Sequence, residues 1–221
     1  VTVKNIYLSQ KQIDWWKKLY FYGLGEFFYK NNIKTNIDEF MNITAGTNKL
    51  LKSEINISDE FTGALVPIGG GKDSIVTLNV IKDDFANNMC YVINPRGATE
   101  ETAETAGYGE NKRCYEKRTL DKNMLELNKQ GYLNGHTPFS SIVAFSALIV
   151  AYLNKKKYIV LSNEAAANES TIYEEEVNHQ YSKSYEFEQD FNEYVKENIL
   201  DGIEYFSLLR PISEYQIAKH F

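Results

Sequence analysis

The sequence predicts an α/β fold: a doubly wound, mostly parallel five-stranded sheet that carries an N-terminal helical extension. Three observations predict it. From residue 63 onward, short apolar runs alternate with helical segments, as repeated βαβ units do. One of those runs leads through three consecutive glycines straight into a helix, Val66-Pro67-Ile68-Gly69-Gly70-Gly71-Lys72-Asp73-Ser74. Before residue 60, apolar side chains recur every three or four positions, the period of an amphipathic helix rather than of a strand.

Taken in order, Ile13, Trp16, Leu19, Tyr20, Leu24, Phe27 and Phe28 form one apolar stripe, so residues 1–60 read as a helical, peripheral layer and residues 61–221 as the main domain. Residues 64–68 read as a strand, 74–85 as a helix supported by Ile75, Leu78 and Ile81, and 90–93 as a second strand. A polar stretch over 94–111 shows no element. A third strand is expected near 114–119 and a short helix over 121–129. Thr137 and Pro138 announce the next helix, the first as a cap and the second because a first turn needs no amide donor from it. Its apolar run, 142–153, reads as a buried helix, being about half of what a bilayer span requires. Residues 158–161 read as a strand, 185–197 as a charged helix, 205–209 as a last strand, and Ser213 opens a final helix.

Composition narrows the function. At 221 residues the chain is long enough for one well-buried domain with an extension. Its net charge of −6 disfavours a protein that holds nucleic acid by neutralising phosphates. The 16 tyrosines are enough to offer stacking surfaces for bases, but lining the core and its rim is their plainer use. Cys90 and Cys114 are too few for a disulfide framework, no stretch has the layout of a signal peptide, and no membrane span is apparent. A cytoplasmic protein acting on a small molecule is the expectation.

The glycine loop carries the chemistry. Without side chains, Gly69, Gly70 and Gly71 let backbone amides approach phosphate oxygens, and the helix that follows aims its positive end at the same anion. Ser74 adds a hydroxyl and Lys72 a point charge. A side chain at Gly70 is expected to fill the space a phosphate needs. The Walker A pattern fails, because it requires Gly where Val66 stands and Ser or Thr where Asp73 stands. The dinucleotide pattern fails on its glycine spacing.

The run Gly69-Gly70-Gly71-Lys72-Asp73-Ser74 resembles the Ser-Gly-Gly-x-Asp-Ser signature of the PP-loop ATP pyrophosphatases, with Gly69 in place of the first serine. That resemblance implies an adenine nucleotide α-hydrolase-like fold and cleavage of ATP between its α- and β-phosphates. It also implies that Asp73 positions a magnesium ion or the loop itself; interaction with the helix dipole is the plainer reading of that carboxylate. Arg210, in Leu209-Arg210-Pro211, matches a cation that faces pyrophosphate in the family, while a lone arginine is otherwise a surface ion-pair partner.

Further stretches narrow the likeness: Ile93-Asn94-Pro95-Arg96, Gly135-His136-Thr137-Pro138-Phe139-Ser140, Leu161-Ser162-Asn163-Glu164 followed by Ala167-Asn168-Glu169, and Val177-Asn178-His179-Gln180-Tyr181-Ser182-Lys183-Ser184. Together they resemble the UDP-N-acetyl-α-D-muramoyl-L-alanyl-L-glutamate epimerases. This implies ATP and magnesium as cofactors, a UDP-muramoyl dipeptide as substrate and inversion of its terminal L-glutamate. It also implies a further cysteine-containing C-terminal stretch. His136 and His179 are candidate proton carriers, since imidazole titrates near neutral pH, although a single histidine is more often a structural or surface residue. Cys114 is a weaker candidate than a buried inert thiol. Asn163, Glu164, Asn168 and Glu169 follow a strand on the ligand-binding edge, so all four are candidates for contact with magnesium, ribose or substrate, Asn163 and Glu164 for the nucleotide and Glu164 for the metal, although a solvated loop has the same composition. Another PP-loop ligase acting on tRNA, or a nucleotide-binding module without catalysis, remains the alternative.

Overall fold

Five short runs become the strands of one sheet in the computed structural model, which describes residues 1–4, 6–46, 55–168 and 181–221. They are β1 (Ala64–Pro67), β2 (Met89–Ile93), β3 (Arg113–Glu116), β4 (Tyr158–Leu161) and β5 (Glu204–Ser207). Their order is β3-β2-β1-β4-β5, and every neighbouring pair is parallel. The chain therefore winds outward from β1 to one edge and then returns to build the other. The order reverses between β1 and β4, and ligands of open α/β sheets bind outside the carboxyl ends of the strands at such a reversal.

Both faces of the central strands are covered, which is why β1 and β4 read as unbroken apolar runs rather than as alternating ones. On one face Ala64, Val66, Ile68, Cys90, Val92 and Val160 pack with Leu78, Ala103 and Tyr108. Leu65, Tyr91 and Ile159, at the alternate positions, are also buried.

The chain divides into two compact units, one made of Val1–Ile55, Lys122–Ser140 and Asn168–Asp201, the other of Asn56–Asp121, Ser141–Ala167 and Gly202–Phe221. The second contains the whole sheet. The first differs from the 1–60 extension expected from sequence: its N-terminal part ends at Ile55, and it takes in two later segments, where its aromatic residues find partners far downstream. Helix Gln10–Gly23 opens with a reciprocal cap, the Ser9 hydroxyl accepting from the Gln12 amide at 3.2 Å and the Gln12 side chain from the Ser9 amide at 2.8 Å. Trp15 Nε1 donates to the Asp190 carbonyl at 3.0 Å and Trp16 Nε1 to the Tyr194 hydroxyl at 3.1 Å. Both acceptors lie on helix Tyr185–Asn198, and the Trp15 and Tyr194 ring centroids are 4.3 Å apart.

Three elements differ from the sequence reading. The helix after the glycine loop is Lys72–Val80, not 74–85; it is followed by a 3-10 turn, Lys82–Asp84. Buried Asn88 ends it, its Nδ2 donating to the Ile81 carbonyl at 3.0 Å while its Oδ1 accepts from the Ala64 amide at 2.9 Å. The stretch read as featureless contains helix Gly97–Thr105. Its buried positions are Thr99, Thr102 and Ala103, small and mostly polar side chains that leave no apolar period to detect. Helix Phe139–Leu153 is buried on one side only: Ser141, Ala144, Ala147, Leu148 and Ala151 face inward, whereas Ile142, Ile149 and Leu153 are exposed. Among the described residues, no helix is long and apolar enough to cross a membrane.

Candidate functional site

The glycine loop leaves β1 at the sheet's reversal point, and its conformation is set by a few bonds. The Ile68 amide still pairs with the Tyr91 carbonyl at 3.0 Å, as a continuation of the sheet. The Gly69 amide then turns to the Ser74 hydroxyl oxygen at 3.2 Å, so buried Ser74 stitches the start of the loop to the helix. The Ser74 and Ile75 amides return to the Gly71 carbonyl at 3.1 and 3.4 Å. Among the described residues no acceptor meets the Gly70 and Gly71 amides, which lie directly before the helix N-terminus.

The three glycines are glycine for different reasons. Gly70 has φ +83°, and a Cβ there would lie 2.8 Å from the carbonyl carbon of Ala98 and 2.9 Å from the amide nitrogen of Thr99. Its constraint is therefore internal: the loop passes hard against the first turn of helix Gly97–Thr105, and a side chain would strike that backbone instead of occupying ligand space. Gly69 and Gly71 are the reverse case. A Cβ at either meets nothing within 4 Å, and neither backbone requires the left-handed region. Packing within the protein does not demand glycine at these two positions; room beside the backbone is what glycine leaves there.

Helix Gly97–Thr105, which sequence reasoning missed, is itself pinned. Thr99 Oγ1 accepts from the Arg96 amide at 3.0 Å and donates to the Arg96 carbonyl at 2.7 Å. Buried Arg113 of β3 donates through Nη1 to Glu100 Oε2 at 2.7 Å and through Nε to the Tyr108 carbonyl at 2.6 Å. Asn94, at φ +51°, closes the end of β2, donating to the Arg118 carbonyl at 2.9 Å and accepting from the Arg118 amide at 2.8 Å.

Lys72 and Asp73 open the helix. Lys72 Nζ is 3.0 Å from Asp73 Oδ1 and 3.2 Å from Glu214 Oε1, and these carboxylates, Asp73 foremost, raise its pKa above the ordinary lysine value. The point charge read from the sequence is thus present and already shared. Glu214 carried no sequence signal, since it is simply the first residue after the Ser213 cap.

The carboxyl ends of β4 and β5 add a second group of polar side chains. Ser162 Oγ accepts from Thr77 Oγ1 at 2.8 Å, joining the end of β4 to the helix after the loop. Asn163 Nδ2 donates to Ser207 Oγ at 2.9 Å. Arg210 donates through Nη1 to the Glu164 carbonyl at 3.2 Å and through Nη2 to Ser207 Oγ at 3.4 Å. Asn163, Glu164 and Arg210 therefore stand together, on the edge of the sheet from which the loop leaves.

His136 belongs to the other unit. Its Nδ1 lies 2.9 Å from Glu26 Oε2, and its segment is packed closely enough that a Cβ on Gly135 would meet Phe27 at 3.1 Å. Glu169 and His179 lie outside the described residues. Burial pushes the Cys90 thiol up to about 12 and also raises Cys114, which Glu116 raises further, so neither is a ready thiolate at neutral pH. Among the described residues, no group of three His, Cys, Asp or Glu side chains is arranged to hold a metal ion.

A family model described as the MurL N-terminal domain matches residues 1–208. The UDP-N-acetyl-alpha-D-muramoyl-L-alanyl-L-glutamate epimerase of Xanthomonas oryzae pv. oryzae is 32% identical over 207 residues, covering 93% of this chain and 44% of that protein. Those of a Micromonospora species and of Salinispora tropica are 32% and 29% identical over 205 residues, with 92% of this chain and 44% of each relative covered. The chain thus spans less than half the length of the curated relatives it matches. Among solved structures, a predicted subunit of tRNA methyltransferase from Methanocaldococcus jannaschii superposes with a TM-score of 0.42 at 17% identity over 75% of this chain and 73% of that one, a likeness too loose to support any inference.

Proposed function

The chain belongs to the MurL N-terminal domain family, and from that premise we propose that it binds ATP at the glycine loop and serves the epimerisation of the terminal L-glutamate of UDP-N-acetyl-α-D-muramoyl-L-alanyl-L-glutamate. The observation that carries the nucleotide reading is the contrast among the glycines: Gly70 is required by packing, whereas Gly69 and Gly71 border open space. The Gly70 and Gly71 amides, which meet no acceptor among the described residues, adjoin that space with the positive end of helix Lys72–Val80, the combination that receives phosphate oxygens.

The roles follow from position. The Gly70 and Gly71 amides grip the β- and γ-phosphates, Lys72 adds a mobile charge, and Arg210, held by Glu164 and Ser207, is the fixed cation near the end of β5. Ser74 keeps the loop's shape through the Gly69 amide. Asn163 lines the same edge. Magnesium fits this set, because it binds through one or two carboxylates together with substrate phosphates and water and needs no protein cage. Asp73 and Glu164 would hold it, and it would supply neutralisation of the phosphate charge.

Adenylation explains why ATP is needed for an inversion. A free carboxylate opposes removal of the neighbouring Cα proton, since a second negative charge would form beside the first. Attack of that carboxylate on the α-phosphorus expels pyrophosphate and gives an acyl-AMP without the charge, so a side chain of ordinary basicity can remove the proton. A proton returned to the other face and hydrolysis of the acyl-AMP then release AMP and the inverted dipeptide. His136, whose Nδ1 lies 2.9 Å from Glu26 Oε2, and His179 are the candidate carriers of that proton. Incubation with ATP, magnesium and the UDP-muramoyl dipeptide tests the proposal. It predicts AMP and pyrophosphate in equal amounts, dependent on the dipeptide. Formation of ADP, or AMP formation indifferent to the dipeptide, contradicts it.

A further inference from the structure

Lys72 stands between two carboxylates that reach it from different segments. Asp73 is its neighbour in the first turn of the helix, and Glu214 is the first residue of helix Glu214–His220. The two helices are joined by Val76, Leu209 and Ile217 with Ile212 packed against them, and Ser213 caps the second helix by accepting from the Gln216 amide. The backbone therefore fixes the place of Glu214, although its side chain is 69% exposed. Asp73 has a use in the proposed site as a metal ligand. Glu214 has none there; its contact at the loop is Lys72 Nζ, at 3.2 Å.

Resting on the nucleotide reading above, we propose that Glu214 is a positioning residue, an exchangeable counter-ion that holds Lys72 beside the loop and is displaced from it when a nucleoside triphosphate binds. Exposed ion pairs contribute little, so releasing Lys72 in advance tightens triphosphate binding by only about two- to fivefold. What distinguishes this role from plain repulsion is that the gain runs through Lys72.

The test is a double-mutant cycle on the 221-residue chain, with Mg·ATP dissociation constants measured for wild type, Glu214→Gln, Lys72→Met and the double variant. Competition against a fluorescent ATP analogue extends the range for the weaker variants. Glu214→Gln is expected to bind more tightly than wild type, and the same change in the Lys72→Met background is expected to have no effect. Equal tightening in both backgrounds overturns the proposal, because Glu214 would then act on phosphate directly. Unchanged or weaker binding by Glu214→Gln also overturns it. Wild-type protein that fails to bind ATP removes the nucleotide reading first and the counter-ion role with it, a result distinct from the other two.

Discussion

Replacing Gly70 and Gly71 separately by alanine divides the work of the loop into its structural and ligand-binding parts. Gly70→Ala forces a side chain into the left-handed region, at about 1–2 kcal/mol, and drives its Cβ to within 2.9 Å of the Ala98–Thr99 backbone. Helix Gly97–Thr105 is pinned by Arg113 and cannot retreat freely, so overpacking adds about 1–3 kcal/mol. Together these lower the melting temperature by roughly 5–15 °C for a chain of this size. Gly71→Ala meets no atom within 4 Å at φ −105°, and the stability of the chain should hold or rise slightly. Its methyl group, however, stands where a phosphate oxygen would approach. Losing one charge-assisted hydrogen bond of about 1.5–3 kcal/mol weakens ATP binding by about ten- to a hundredfold. Thermal unfolding followed by circular dichroism, with ATP affinity measured on the same samples, reads both effects. Equal destabilisation by the two variants, or full ATP affinity in Gly71→Ala, refutes the reasoning.

Four other outcomes are expected. Asp73→Ala should abolish AMP release while leaving the unfolding transition in place, since its side chain is 37% exposed and its contact with Lys72 is an exposed ion pair, which contributes little to stability; retained turnover would mean that the carboxylate is not needed. Asn88→Ala should destabilise by about 2–4 kcal/mol in urea unfolding, because the Ala64 amide and the Ile81 carbonyl both lose their partner. Glu100→Gln should cost less than Arg113→Met, which takes the cation from Glu100, leaving it only the Tyr115 hydroxyl, and the donor from the Tyr108 carbonyl; the two unfolding midpoints compare them directly. In alkali, the buried Cys90 thiol keeps its proton in the folded chain up to about 12 while the unfolded thiol ionises near 9.0. Stability is then fully present below pH 9 and falls as pH rises above it, and melting curves from pH 8 to 11 that stay flat would contradict this.

Where packing and backbone chemistry agree, the elements were legible in the sequence. β1 and β4 are apolar on both faces, and three glycines followed by Lys72 mark a strand-to-helix exit. Ser213 caps its helix as a serine there should. Helix Gly97–Thr105 escaped notice because it buries threonine and alanine, and with it went the reason for Gly70, whose constraint is the backbone of that helix. The first unit was only partly legible. Its stripe of Trp16, Leu19 and Phe27 signals a helix, but nothing local reveals that Trp15 and Trp16 are matched to Asp190 and Tyr194, some 175 residues on. The places of Asn163, Glu164 and Arg210 after their strands are legible in the sequence, whereas their meeting around Ser207 and the pairing of Lys72 with Glu214 are created only by packing.

The most direct test of the account is a crystal structure of the chain with magnesium and an ATP analogue that resists cleavage between the α- and β-phosphates. The account predicts the β- and γ-phosphates within hydrogen-bond distance of the Gly70 and Gly71 amides, with Arg210 facing them across the end of the sheet. A triphosphate seated elsewhere, or those two amides turned away from it, would contradict the account.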